Sequence, residues 1–219
     1  MPFRLGRKKE TAPAPTPDAG AASPDPRDRA PRAIRFNGLT AEWRLRGSMT
    51  ITGRLLDTLN KREAVPLSDV TWAPLDGSGG FEPAPGIQAV DPYDLIVVIA
   101  GRETLDSLDD NERSAHRVHK IAFDVALHAP PLRVVGTVQL NPGSEPDALL
   151  ERSSQMFVAV TGPTVWLAGV EIDIGDDVDA ALVNRYYLRG VEQVDLATGE
   201  RHLRLPGTPL GGTTWRERS

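Results

Sequence analysis

The chain has no cysteine, so it can build no disulfide and carry out no thiolate chemistry. Aromatic residues make up only 5% of it, too sparse for the base-stacking platforms of RNA-binding sheets. It holds no run of about 18 apolar residues of the kind that crosses a bilayer. Its first ten residues, MPFRLGRKKE, offer Phe3 and Leu5 where a secretory signal peptide would place roughly 7–15 apolar residues. These absences predict a cytoplasmic protein. A serine nucleophile elbow, a P-loop, a dinucleotide fingerprint, a His-Glu-x-x-His pair and zinc-ligand spacing are also missing, which predicts a protein that is not an enzyme and has no cofactor.

The formal charge is −5, unevenly spread. Residues 1–32 carry seven basic and four acidic side chains, and residues 201–219 carry four arginines and one glutamate. Two basic ends of +3 each leave about −11 on the body between them, a sign that repels phosphate backbones and argues against a nucleic-acid-binding core. Residues 1–32 are rich in Ala and Pro without apolar periodicity. Such a segment cannot bury enough surface to offset its ordering entropy and is expected to be a disordered tail.

What the chain does have is a doubled pattern. In Lys120–Gly143 (KIAFDVALHAPPLRVVGTVQLNPG), Ile121, Phe123, Val125 and Leu127 alternate, as do Leu132, Val134, Val138 and Leu140. Period-2 alternation around His128-Ala-Pro-Pro131 predicts a half-buried hairpin. Ala33–Gly53 repeats it: Ile34 and Phe36 align with Ile121 and Phe123, and Trp43, Leu45, Gly47, Met49 and Ile51 with Leu132, Val134, Gly136, Val138 and Leu140. The chain therefore divides into a tail (1–32), a first β unit (33–101), a polar linker or short helix (102–119), a second β unit (120–195) and a C-terminal tail (196–219). The expected fold is mainly β, two tandem small barrel-like or sheet units, each with one short helix.

Each unit continues alike. Thr52 is placed to cap a helix carrying Leu55, Leu56 and Leu59 and stopping at Asn60; Ser144 and Asp147 form a capping-box pattern before Leu149 and Leu150. Ala64–Leu75 predicts one or two short strands with Pro66 at an edge. Met156–Val160 predicts a strand, Thr161-Gly-Pro163 a turn, and Val165–Leu167 a further strand. Asp76–Gly80 is a flexible hairpin tip, since no Gly-Lys-Ser/Thr follows it. Val90–Ala100 and Leu182–Val191 close the two units, and Leu95–Ile99 has the continuous apolar character of a strand buried on both faces.

The candidate sites are few. His116 and His119 share a helical face near Asp109, Asp110 and Glu112, but no third ligand stands at a recognisable spacing. Glu171–Asp179, with Asp173, Asp176, Asp177 and Asp179, lacks the EF-hand order; the alternation of Val170, Ile172 and Ile174 predicts a strand with an acidic outer face instead. No catalytic, cofactor or metal residue is assigned. Tyr186 and Tyr187, with Arg185 and Arg189, form the nearest approach to a nucleic-acid surface. Met1–Glu10 reads either as a short docking peptide on a Pro/Ala tether or as an unconstrained terminus. Trp215 reads either as a partner anchor or as a residue packed back on the body.

The closing segment Leu182-Val-Asn-Arg-Tyr-Tyr187, together with Gly136–Leu140, Pro142-Gly143, Leu149-Leu150 and Phe157–Thr161, is similar to a small bacterial domain of unknown function that ends in a "VNRDHI"-like strand. Leu55-Leu-Asp-Thr-Leu-Asn60 resembles its "RLTDYLN" segment, while Val90-Asp-Pro-Tyr93 departs from the closing motif. The resemblance implies a small β domain and supplies no catalytic residues. A looser likeness, carried by strand count and Leu188-Arg-Gly-Val191, is to Sm-like barrels. The function expected is a non-enzymatic binding or scaffold protein, partnered by a protein or by itself, with basic tails that recruit a partner; the alternative is an Sm-like nucleic-acid-associated module.

Overall fold

The computed structural model describes residues 30–101, 104, 120–151 and 155–196. Both hairpins form where the alternation placed them. β1 (Arg32–Leu39) pairs antiparallel with β2 (Trp43–Ile51). Further along, β8 (Ile121–Ala129) pairs likewise with β9 (Leu132–Leu140). Ile34, Phe36, Leu45, Met49 and Ile51 are buried, as are Phe123, Val125, Leu127, Val134 and Val138. His128 lies inside β8, so the second turn is only Pro130-Pro131, with a cis bond between the two.

The register corrects the alignment of the two hairpins. Gly47 sits opposite Phe36, and Gly136 opposite Val125. Matched on those glycines, Phe36 corresponds to Val125 and Ile34 to Phe123, two residues from the sequence alignment. The two turns are the same length: Leu39↔Arg44 corresponds to His128↔Arg133, and one constant offset relates both strands of the two hairpins. A slip of two residues preserves the inward and outward faces of a period-2 element, which is why matching apolar residues in the first strand does not betray it.

After β2 come α1 (Leu55–Asn60), β3 (Val65–Pro66), β4 (Ser68–Pro74), β5 (Glu82–Pro83), β6 (Ala89–Val90), a 3-10 turn (Pro92–Asp94) and β7 (Val97–Ala100). After β9 come a 3-10 turn (Pro146–Leu150), β10 (Phe157–Leu167), β11 (Val170–Glu171), β12 (Ala180–Asn184) and β13 (Gly190–Gln193). The helix caps differ from expectation. Arg54, not Thr52, is the N-cap of α1, and Glu145, not Ser144, precedes the second turn; neither makes a side-chain cap hydrogen bond. Leu55 and Leu59 are nonetheless buried, so packing rather than capping holds this single turn and a half.

Thr161-Gly-Pro163 is not a turn. It is a bulge inside the unbroken β10, facing Gly136. β4 bulges in the same place against Gly47. Each bulge carries a residue in the left-handed region, Asp69 (φ 52°) and Gly162 (φ 56°). A Cβ on Gly47 would lie 2.9 Å from Ser68 O, and one on Gly136 2.8 Å from Thr161 O. Both glycines are therefore required by the close approach of the bulged neighbour.

The closing segments are also broken rather than continuous. Asp91 Oδ1 accepts from Tyr93 N (2.9 Å), and Asn184 Oδ1 accepts from Tyr186 N (3.0 Å). Each Asx turn breaks the chain between a penultimate and a final strand, β6 and β7 or β12 and β13. The predicted strand through Val170, Ile172 and Ile174 stops at Glu171, and residues 172–179 form an irregular loop.

One sheet of eleven strands contains nearly everything, in the order β13-β8-β9-β10-β12-β7-β1-β2-β4-β5, with β11 on β10; β3 and β6 pair apart. The barrel-like closure expected of each unit does not occur, because the central pairing joins the halves instead. β12 runs antiparallel to β7, matching Ala180↔Ala100 through Val183↔Val97. Every residue of both strands is buried. Val98, Ala100, Ala180 and Leu182 face a core shared with β1, β2, α1 and β4, while Val97, Ile99, Ala181 and Val183 face a second core built with β8, β9 and β10. The halves thus pack on opposite faces of one central pair. Phe36 lies in the first core and Phe123 in the second.

Candidate functional site

Two places bring polar side chains together. The first is the seam at the closing turns. Asn184 is fully buried, and its Nδ2 donates to Leu95 O (2.8 Å) and Pro92 O (3.2 Å), tying the second closing turn to the first. Tyr93 and Tyr186 meet edge to face at 5.6 Å. Asn60 extends the seam from the end of α1: its Oδ1 accepts from Met156 N (2.7 Å) and Phe157 N (2.8 Å) at the start of β10. Arg185 is buried and donates from Nε to Leu149 O and from an Nη to Ala148 O. Burial lowers its pKa, with Glu151 opposing the shift. Its hydrogen bonds satisfy carbonyls at the end of the 3-10 turn, and it presents no free fork to a phosphate.

Tyr186 and Tyr187 lie on a turn, not on a strand, and diverge. Tyr186 packs against the first core and Tyr187 against the second, and Tyr187 Oη donates to Tyr93 O (3.0 Å). Burial raises the Tyr187 pKa, assisted by Asp94 and opposed by Arg189. Arg189 is exposed and donates to Tyr186 O and Leu188 O.

The second place is the outer face of the first hairpin. Arg35, Arg44 and Arg46 occupy the positions that alternate with the core residues. Phe81 covers two of them, its ring centre 4.0 Å from the Arg46 guanidinium carbon and 5.7 Å from that of Arg44. The acidic loop arches over this face: Arg44 donates to Asp173 O, and a cavity of about 480 Å³ separates Arg35 and Arg46 from Asp176 and Asp177. Burial, then the neighbouring Arg46, lowers the Arg44 pKa, and Asp173 pulls it back up. The Asp173 charge thus acts on Arg44, while Asp176 and Asp177 line the same cavity as Arg35 and Arg46. Among the described residues no group of three or more ligating side chains has metal-site geometry. Trp43 and Trp72 stack at 4.6 Å, half-buried at the rim of the first core.

His128 Nε2 lies 3.4 Å from Glu192 Oε2 across β8 and β13, without the alignment of a hydrogen bond. Asp76 accepts from Ser78 N (2.9 Å), as suits a hairpin tip. His116, His119, Met1–Glu10 and Trp215 lie outside the described residues. The sequence reading missed Asn60 and the arginine face. The latter was accessible from the alternation Trp43-Arg-Leu-Arg46, whose polar positions fall on one side of a strand.

No protein-family model, curated protein or solved structure matches this chain. No helix among the described residues is long and apolar enough to cross a membrane.

Proposed function

We propose that the chain is a non-enzymatic binding or scaffold protein of the cytoplasm, built from a duplicated small β module (33–101 and 120–195) with basic tails that recruit a protein partner. The module is related to the small bacterial domain named above. The observation that carries the reading is the equivalence of the two closing arrangements. Val65↔Val90 in β3–β6 corresponds to Val158↔Val183 in β10–β12. Ile96 N donating to Leu39 O corresponds to Arg189 N donating to His128 O. The polar groups at these positions are engaged with backbone, a use that serves architecture.

Affinity purification of the full chain and of versions lacking residues 1–29 or 197–219 tests it. Partners lost with a tail support the reading. Identical partners from all three remove the tails from it, and no partner or self-association in any of them overturns it. The Sm-like alternative, which draws on Arg185, Arg189 and the basic ends, keeps the exposed Arg189 but not the buried Arg185; RNA binding that weakens steeply with salt would favour it, and no binding at about 50 mM salt would end it.

A further inference from the structure

The junction inside the chain joins unlike strands. β12, the penultimate strand of the second half, pairs with β7, the final strand of the first. By the equivalences above, β6 corresponds to β12 and β13 to β7. Both are among the strands whose outer sides have no strand partner among the described residues: β13 ends the sheet, as β5 does at the other edge, and β6 pairs only with β3. Their backbone groups are in phase. Val194 N donates to Asp124 O, so antiparallel alternation turns the groups of Val191 and Gln193 away from β8. Leu67 N donates to Gln88 O, so Ala89 turns outward from β3. We propose that the β13 edge of one chain takes the β6 edge of a second copy, in the register Val90↔Gly190, Ala89↔Val191 and Gln88↔Glu192, joining chains head to tail; Ile87 N, which donates to Ala84 O, ends the pairing.

The charges agree with that occupant. Asn184 N donates to Ile96 O at the internal junction. The equivalents of those two residues are Asp91 and Arg189, both exposed, so the same geometry sets a carboxylate of one chain opposite a guanidinium of the next. The strands differ in polarity from their internal counterparts. Val97–Ala100 is wholly buried, whereas Gly190–Gln193 is half-exposed throughout. An edge of this kind makes a reversible contact rather than an obligate one. Because the contact is heterologous, both edges remain available at the ends of any open assembly.

The proposal rests on the duplicated-module reading and names its partner. Its test uses the absence of cysteine. Gln88→Cys and Glu192→Cys are introduced separately into the full chain, at positions equivalent to the internal pair Ala181↔Ile99. Mixed under mild oxidation, the two variants should form a covalent heterodimer at least about tenfold faster than either alone, since pairing raises the local thiol concentration. Arg189→Glu in the Glu192→Cys chain, or high salt, should slow it. Lys120→Cys, exposed and off both edges, sets the rate of random collision. A mixed rate no greater than that control overturns the proposal. So does equal crosslinking of Glu192→Cys with itself, which indicates a symmetric edge, or crosslinking that appears only after residues 197–219 are removed, which shows the chain's own tail on β13. Tail-dependent partner capture is read separately, so loss of crosslinking with capture intact defeats the self-pairing and leaves the binding role standing.

Discussion

At the scale of single residues, space and hydrogen-bond accounting decide most outcomes. Gly136→Ala sets a Cβ 2.7 Å from Val160 Cγ1 and 2.8 Å from a backbone oxygen. The second of these cannot rotate aside, so the bulge itself must shift, at a cost of about 1–3 kcal/mol. Urea unfolding of Gly136→Ala should show a lowered midpoint, whereas Gly80→Ala, with open space around its Cβ, should not. Tyr187 gives a pH signature. Its pKa is raised in the fold by burial, so above pH ~10 the unfolded chain loses the phenolic proton before the native one does. Stability should therefore fall as pH rises past that point. Tyr187→Phe should flatten this part of the profile in melts between pH 8 and 11 while losing the hydrogen bond to Tyr93 O. The paired glycines were legible in the sequence as equivalent positions. Their reason was not, because it lies in a neighbouring strand some 25 residues away.

At the scale of elements, the hairpins were readable because an amphipathic strand writes its burial into every second residue. The closing segments were not. Leu182–Val191 and Val90–Ala100 look like single strands, since side-chain hydropathy is silent about a break made by an Asx turn. Asn184 and Asp91 were the available signal, each two residues before the backbone N–H it accepts from. Asn184→Ala should cost about 1–3 kcal/mol, because Leu95 O and Pro92 O lose a donor in a buried setting. The loss should appear as faster amide exchange at Tyr186 and in β7 before it appears elsewhere. Asn184→Asp cannot restore it, as a carboxylate accepts but does not donate. The acidic segment was misread for a related reason: alternation in Val170–Ile174 suggests a full strand, yet Val170 is exposed and contact with β10 ends where Ile172 N donates to Val165 O.

At the scale of the molecule, the doubling of the pattern was visible and the joining of the halves was not. Period-2 reading assigns each strand an inside and an outside, and it fails for β7 and β12, which have two insides. Leu95–Ile99 carried that message in its unbroken apolar run, but nothing in the sequence named its neighbour. Since both cores include residues of the same central pair, the halves should unfold together. Phe36→Ala in the first core and Phe123→Ala in the second should each cost about 3–5 kcal/mol and lower one common transition, followed by calorimetry. Two separable transitions, each responding to one substitution only, would contradict the shared pair.

The central strands also bear on how this sequence can change over time. In an ordinary sheet half the positions look toward water and drift freely among polar residues. Along Val97–Ala100 and Ala180–Val183 no position has that freedom, so eight side chains in two short stretches are held to small, apolar identities at once. A lysine or glutamate accepted anywhere among them would have to force apart one half of the molecule or the other.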